Sequence, residues 1–188
     1  MKSHHLNQRT EGSMKFIFKP LTLDDLQQLH QWFQEPTIRQ LYAHNQSYSL
    51  DDITHKYKPR LTNHDNVPSF VIENEEQDIG FIQYYCLQEH LPEGITSGNP
   101  LFKKYHPHEM VGMDLFIADG NNRGKGLGIQ IIHQFINEFL SPYQAIVIDP
   151  DRKNEQAIRC YEKSGFEMTN YSTDKTHCIL ILEKRPAP

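Results

Sequence analysis

The sequence predicts one domain of the α/β (α+β) class, with a mixed, mostly antiparallel central sheet flanked by helices. Three observations point there. Short apolar or alternating runs bounded by turn formers recur towards both ends of the chain, as strands do. Between them, Gly112 to Phe166 reads in order as a strand, a glycine-rich turn, a long helix, a buried strand and a second helix. Finally, 188 residues, 37% hydrophobic and 23% charged, supply one substantial core but not two. The domain is placed at 14–184, between an N-terminal tail at 1–13, read as disordered, and a C-terminal tail at 185–188.

Lys15 to Leu21, with Phe16 and Phe18 alternating with Ile17 and Lys19, suggests a first strand ending at Pro20. Thr22 is a good N-cap for a helix over Leu23 to Gln34, whose Leu26, Leu29 and Phe33 recur at helical spacing. Glu35-Pro36 stops that helix, and a polar and aromatic connection follows through Tyr48. Ser49 caps a second helix, with Asp51 and Asp52 in its first turn and Ile53, Tyr57 and Leu61 on one face. Ser69 to Ile72 and Ile79 to Leu87 are antiparallel strands joined by the acidic turn Glu73 to Asp78, with Gly80 marking a bulge or a close approach.

Gln88 to Pro107 is a long irregular stretch, functional or mobile, and is read as a flap over a binding site. Met113 to Ile117 is the fourth strand. The helix from Gly126 carries Leu127, Ile131, Phe135 and Phe139, with Ile132, Ile136 and Leu140 beside them, a broad face that must pack on the sheet. Ala145-Ile146-Val147-Ile148 is apolar without a break, as expected of a parallel strand covered on both faces. Gly165 closes the next helix with Phe166 as its hydrophobic follower. Phe166 to Asn170 and His177 to Leu182 complete the sheet.

The net charge of −5 argues against nucleic acid as a partner and favours a cationic substrate. No run approaches the roughly eighteen apolar residues of a membrane span, and Met1 to Ser13 lacks the apolar core of a secretory signal. Cys86, Cys160 and Cys178, odd in number and widely spaced, fit the reduced thiols of a cytoplasmic protein. His106-Pro107-His108 finds no carboxylate or cysteine to complete a ligand set, so no metal is expected.

The chemistry centres on the turn Arg123-Gly124-Lys125-Gly126-Leu127-Gly128. Glycines just ahead of a helix expose backbone N–H groups at the positive end of its dipole, an anion site suited to phosphate or pyrophosphate. It is not a Walker loop, because Lys125 is followed by Gly126, and its glycine spacing does not fit the dinucleotide fingerprint. It matches Arg/Gln-x-x-Gly-x-Gly/Ala, and Asn154-Glu155-Gln156-Ala157-Ile158-Arg159-Cys160-Tyr161 through Gly165-Phe166 follows at a fitting distance. Together these resemble the acyl-coenzyme A site of the GNAT superfamily of N-acetyltransferases.

That resemblance implies a sheet splayed between strands 4 and 5, with pantetheine inserted like an extra strand. It assigns the pantetheine and thioester to the backbone of Leu115, Phe116 and Ile117. The pyrophosphate falls to Arg123, Gly124, Lys125, Gly126, Leu127 and Gly128, and the pantetheine arm to the neighbourhood of Asn154. It makes acetyl-coenzyme A the cosubstrate and Tyr161 the acid for the departing thiolate, a task that a phenol of ordinary pKa can perform. The alternative for Tyr161 is a packing residue.

Two carboxylates, Asp114 and Asp149, each read as sitting at a strand boundary of the splayed pair, where they would attract an ammonium group and take its proton. Asp114 could instead cap a strand end, and Asp149 could simply make a turn. With Gly112-Met113-Asp114 and Asp149-Pro150 included, the pattern is similar to the aminoglycoside 6′-N-acetyltransferases. This implies Asp114 as base and amine contact, Asp149 as a second amine contact and Asp174 as a late acidic contact. The family's tryptophan-rich acidic flap is replaced here by Gln88 to His108, with Lys103 and Lys104 beside Glu89 and Glu93, and Trp32 is the sole tryptophan. Other acceptors therefore stay open, a siderophore hydroxylamine or a protein N-terminus, as does a non-catalytic acetyl-coenzyme A-binding module. The expected partner is a small-molecule amine, and the expected assembly a monomer or homodimer.

Overall fold

The computed structural model describes residues 15–43, 45–62 and 64–184. Both tails and Met14 of the expected domain lie outside them. Seven strands form one sheet in the order β1-β2-β3-β4-β5-β7-β6. They are β1 (Ile17–Pro20), β2 (Ser69–Asn74), β3 (Gln77–Cys86), β4 (Met110–Ile117), β5 (Ala145–Ile148), β6 (Glu167–Thr169) and β7 (Ile179–Glu183). Only β4 and β5 run parallel; every other neighbouring pair is antiparallel.

The helices are α1 (Leu26–Gln34), α2 (Pro36–Leu41), α3 (Leu50–Leu61), α4 (Leu127–Phe139) and α5 (Glu155–Lys163). Thr22 does open the first helical segment, its N–H and hydroxyl donating to Asp25 at 2.8 and 2.7 Å. Its first turn, Leu23–Asp25, is wound as a 3₁₀ turn before α1 begins at Leu26. Glu35-Pro36 breaks α1 as expected, yet the chain re-enters helix at once instead of forming a loop. Proline at the first position has no N–H to satisfy, and the Glu35 carboxylate accepts the Ile38 N–H at 2.8 Å. Ser49 and Asp52 cap α3 reciprocally: Asp52 N–H donates to the Ser49 hydroxyl at 3.1 Å and Ser49 N–H to the Asp52 carboxylate at 2.8 Å.

The two-residue period of the strands sends alternate side chains to opposite faces. One face carries Phe70, Ile72, Ile82, Val111, Met113, Ile146 and Ile148, packed under the apolar side of α4 and Tyr161 of α5. The other is covered by α1 and α3 over Val71, Phe81 and Phe116. It is continued by the 88–107 stretch, whose Ile95 and Leu101 pack on Tyr85, Met110 and Val147. That stretch is a packed layer. Asn99, 3% exposed, accepts the Leu101 N–H at 3.0 Å and donates to the Tyr171 carbonyl at 2.8 Å.

Gly80 is a close approach, since a Cβ there would stand 2.3 Å from the Phe116 carbonyl oxygen; the register shift falls opposite, between Ile72 and Glu73. Gly165, at φ +97°, ends α5 in a Schellman motif. Its N–H reaches Glu162 at 3.0 Å, and Phe166 N–H reaches Tyr161 at 3.1 Å.

Candidate functional site

The site begins where the sheet opens. β4 is paired to β3 from Val111 to Ile117, but to β5 only through Met110, Val111 and Gly112. Past Gly112, β5 diverges and ends at Ile148, so the β5-facing edge of Met113 to Ile117 borders a cleft instead of a strand. This is the splay between strands 4 and 5 that the sequence led us to expect. Two cavities of about 310 Å³ each lie on either side of it.

The first cavity runs from Leu115, Phe116 and Ile117 over Arg123, Gly124, Gly126 and Gly128 to Asn154 and Ala157 of the α5 start. Of the anticipated cofactor contacts, Lys125 and Leu127 are not among its lining residues: Lys125 is exposed and Leu127 is buried in the core. Gly126 is the N-cap of α4 at φ +78°, a left-handed conformation natural to glycine, and no side chain caps the helix. The helices α3 and α5, by contrast, are capped by Ser49 and by Asn154, which accepts the Ala157 N–H at 3.1 Å. The first N–H groups of α4 are thus presented to this cavity with no side-chain oxygen to occupy them.

Arg123 lines this cavity and also has a bracing part that its motif did not suggest. Its guanidinium donates to the carbonyls of Ile117 and Ala118 at 2.9 and 3.0 Å and pairs with Glu35 at 3.1 Å. Desolvation opposes the Glu35 charge, but the Ile38 N–H and Arg123 hold it below the usual carboxylate range. One acid therefore caps α2 and ties it to the end of β4. Two further cations line the first cavity, one turn apart on α5: Lys163, and Arg159, which pairs with Glu155 at 3.1 Å. Neither was singled out from the sequence, although an i, i+4 cation pair on one face of α5 is a legible signal.

The second cavity is polar. Asp114, Asp149, Asp151 and Glu93 face Lys56 and Arg60 of α3 across it, with Gln83, Tyr85 and His90 between. Asp114 is not at a strand boundary, because β4 begins at Met110 and Gly112 continues the strand. Gly112 is needed there since the Tyr85 ring lies 2.3 Å from where a Cβ would project. Asp114 shares its face with Met110 and Phe116, and Asp149 continues the parity of Ala145 and Val147, so both acids project from one side of the sheet. Asp149, just past β5, is pushed up to about 7 by burial first and by the charge of Asp114 second, against one hydrogen bond from the Glu93 N–H.

Asp174 does not line this cavity. Its carboxylate accepts the N–H groups of Thr176 and His177 at 2.7 and 2.6 Å, shaping the turn before β7. Partial burial works against its charge, but these bonds from His177 and Thr176 hold the carboxyl down to about 2. Glu93, Asp174 and His177 do approach one another within 4.8 Å.

Tyr161, 8% exposed, lines both cavities, as do Tyr42, Leu115, Asn154 and Ala157. It is not a surface phenol of ordinary pKa. Burial first, and then Asp114, raise its pKa well above the usual tyrosine range. The hydroxyl stays protonated throughout the working pH range and remains a donor.

The chain matches the family model described as "Acetyltransferase (GNAT) domain" over residues 22–173. It is 26% identical over 161 residues to the aminoglycoside N(6′)-acetyltransferase type 1 of Klebsiella pneumoniae, covering 84% of this chain and 77% of that protein. Its fold is similar to that of AAC(6′)-Ib in complex with ribostamycin and coenzyme A, at a TM-score of 0.76 and 22% identity over 90% of this chain and 94% of that one. The aminoglycoside N(6′)-acetyltransferase of Legionella pneumophila superposes at a TM-score of 0.64, with 21% identity over 93% and 95% of the two chains. No helix among the described residues is long and apolar enough to cross a membrane. With the family model spanning most of its length and the opened sheet in place, the chain belongs to the GNAT acetyltransferase family.

Proposed function

We propose that the protein transfers the acetyl group of acetyl-coenzyme A to the 6′-amine of an aminoglycoside, by direct attack of the amine on the thioester. The observation that carries this is the meeting of the two cavities at Tyr161: a cleft along an open strand edge and a helix N-terminus on one side, an acid-lined cleft on the other. Pantetheine pairs with the edge of Leu115 to Ile117, and the pyrophosphate lies on the N–H groups of the Gly124–Gly128 turn. Arg159 and Lys163 add charge for the phosphates.

Asp114 receives the acceptor ammonium. Asp149, at about 7, has the proton affinity of a base matched to neutral pH. The freed amine attacks the carbonyl carbon, the oxyanion is held by backbone N–H groups of β4, and the C–S bond breaks with Tyr161 donating to the thiolate. The catalytic domain so defined spans 14–184, works in the cytoplasm and needs no metal.

A second reading is favoured by Lys56 and Arg60. Cations on the acceptor wall suit an amine that also carries an anionic group, as a hydroxylamine-bearing amino acid or a peptide N-terminus can. Thiol release from acetyl-coenzyme A, measured with kanamycin, its 6′-hydroxyl counterpart, N-hydroxylysine and a short peptide, tests both. Turnover with kanamycin alone supports the first reading; turnover only with the carboxylate-bearing amines replaces it with the second.

A further inference from the structure

We infer that Gln83 and Arg60 are positioning residues that hold Asp114 in place and keep it ionised, so that the two acids of the acceptor cleft play different parts. The inference rests on the proposal that Asp114 meets the acceptor amine. Gln83 and Asp114 are register partners on β3 and β4, and the strand period puts them on the same face. The Gln83 side-chain N–H donates to Asp114 Oδ2 at 2.7 Å, and Gln83, only 6% exposed, has little other freedom.

An amide can turn either end towards a neighbour, and here the choice is enforced. Arg60 donates to Gln83 Oε1, which leaves the Nε2 end for the carboxylate. Arg60 is fixed in turn: Asp65 accepts its Nε–H at 3.3 Å, and its guanidinium lies over the Tyr57 ring, 4.8 Å from the centroid. Asp65 is braced from the flap by His90 Nε2 at 2.9 Å. Asp65 thus anchors Arg60, and from Arg60 two donors run in series, guanidinium to Gln83 and Gln83 to Asp114. Asp149 has instead a backbone N–H, donated by Glu93.

The other groups facing Asp114 act on the same balance. Lys56 and Arg60 come from α3, and Asp149 from the end of β5. The phenols of Tyr42, Tyr57, Tyr85 and Tyr161 stay neutral, their pKa values all raised chiefly by burial. A donor backed by a guanidinium stabilises the ionised form of Asp114, while at Asp149 burial and the charge of Asp114 outweigh the Glu93 N–H and His177, which favour its charge. The first proton that the pair takes up therefore goes to Asp149, the base, leaving Asp114 as the fixed anion.

The test is the pH profile of kcat/KM for the acceptor, with side-chain ¹³C NMR titration of the aspartates in the acceptor-free protein. Gln83→Met removes the donor at nearly constant volume. The Asp114 titration, and with it the lower part of the acidic limb beneath that of Asp149, should move up by about one unit or more, the size of one lost hydrogen bond to a charged group. Gln83→Glu keeps an acceptor for Arg60 but turns a second carboxylate on Asp114, and should move both further. Arg60→Met, which leaves β3 untouched, should shift them in the same direction by less, and by clearly less again in the Gln83→Met background, where only its direct charge on Asp114 remains.

An unmoved limb in Gln83→Glu, or additive effects of the two changes, overturns the inference even if turnover falls, because loss of packing alone lowers rate without shifting titration. The NMR arm needs no acceptor. It stands or falls independently of whether aminoglycosides are the substrate.

Discussion

The two cavities are equal in size and opposite in construction. The first presents main chain: a strand edge, a turn of glycines and an uncapped helix start. The second presents side chains: four carboxylates, two cations and a glutamine from separate segments of the chain. Recognition by backbone survives wide sequence change, since any residue supplies an N–H. Recognition by side chains does not. That contrast is consistent with a fold kept at a TM-score of 0.76 with only 22% identity to a solved relative, since main-chain groups ask little of side-chain identity.

The sharpest break between the two cavities is expected at Asp114. Asp114→Asn keeps shape but removes the charge that meets the ammonium, and should lower kcat/KM for the amine on the order of thirty- to several-thousand-fold, with coenzyme A affinity unchanged by calorimetry. An equal loss of coenzyme A affinity would mean that the two cavities are not separable. Tyr161→Phe, at their junction, should lower kcat on the order of ten- to a thousand-fold while both substrates bind as before. Unchanged turnover would leave Tyr161 as a packing residue.

Gly126→Val tests the opposite side. A β-branched residue at φ +78° is strained, and its side chain projects where phosphate should lie. Coenzyme A affinity should fall by about ten- to a hundredfold with the acidic cleft intact; undiminished affinity would remove the loop from the cofactor site.

The smallest effect concerns stability. Asp149 titrates near 4 when unfolded and at about 7 when folded. Between these values the folded state binds the extra proton, so stability falls as pH rises through the window. Thermal melts of Asp149→Asn should lack that fall, ending a few degrees above wild type at pH 8 relative to pH 5. Parallel curves for the two proteins would show that Asp149 is an ordinary exposed acid.

What the sequence disclosed divides along the same line. The turn Arg123–Gly128, the helix stop at Gly165 and the buried run Ala145–Ile148 are local, and local patterns carry their own physical cause. Arg123 was legible as a motif residue but not as a brace, because its partner Glu35 stands 88 positions away and only the fold brings them together. Gln83 was within reach: two-residue periodicity from Phe81 sets it on the face of Tyr85, and a lone amide on an otherwise apolar face invites a partner. The 88–107 stretch was read from its length and prolines as mobile or functional. Ile95 and Leu101, spaced without period, gave no sign of the core that they help to bury. Helix α2 was missed because six residues are too few for a periodic signal.

An unpaired strand edge is ordinarily a hazard, since it offers a template on which other chains can add. The edge of β4 past Gly112 escapes this because α2, α4 and α5 contribute walls to the cleft that contains it. A whole sheet cannot enter; a single thin, extended arm can. The same recess sets how this protein should fail. Loosening α5 would bare the edge while the rest of the sheet still stands, so aggregation on heating should begin below the global melt and be suppressed when the slot is filled.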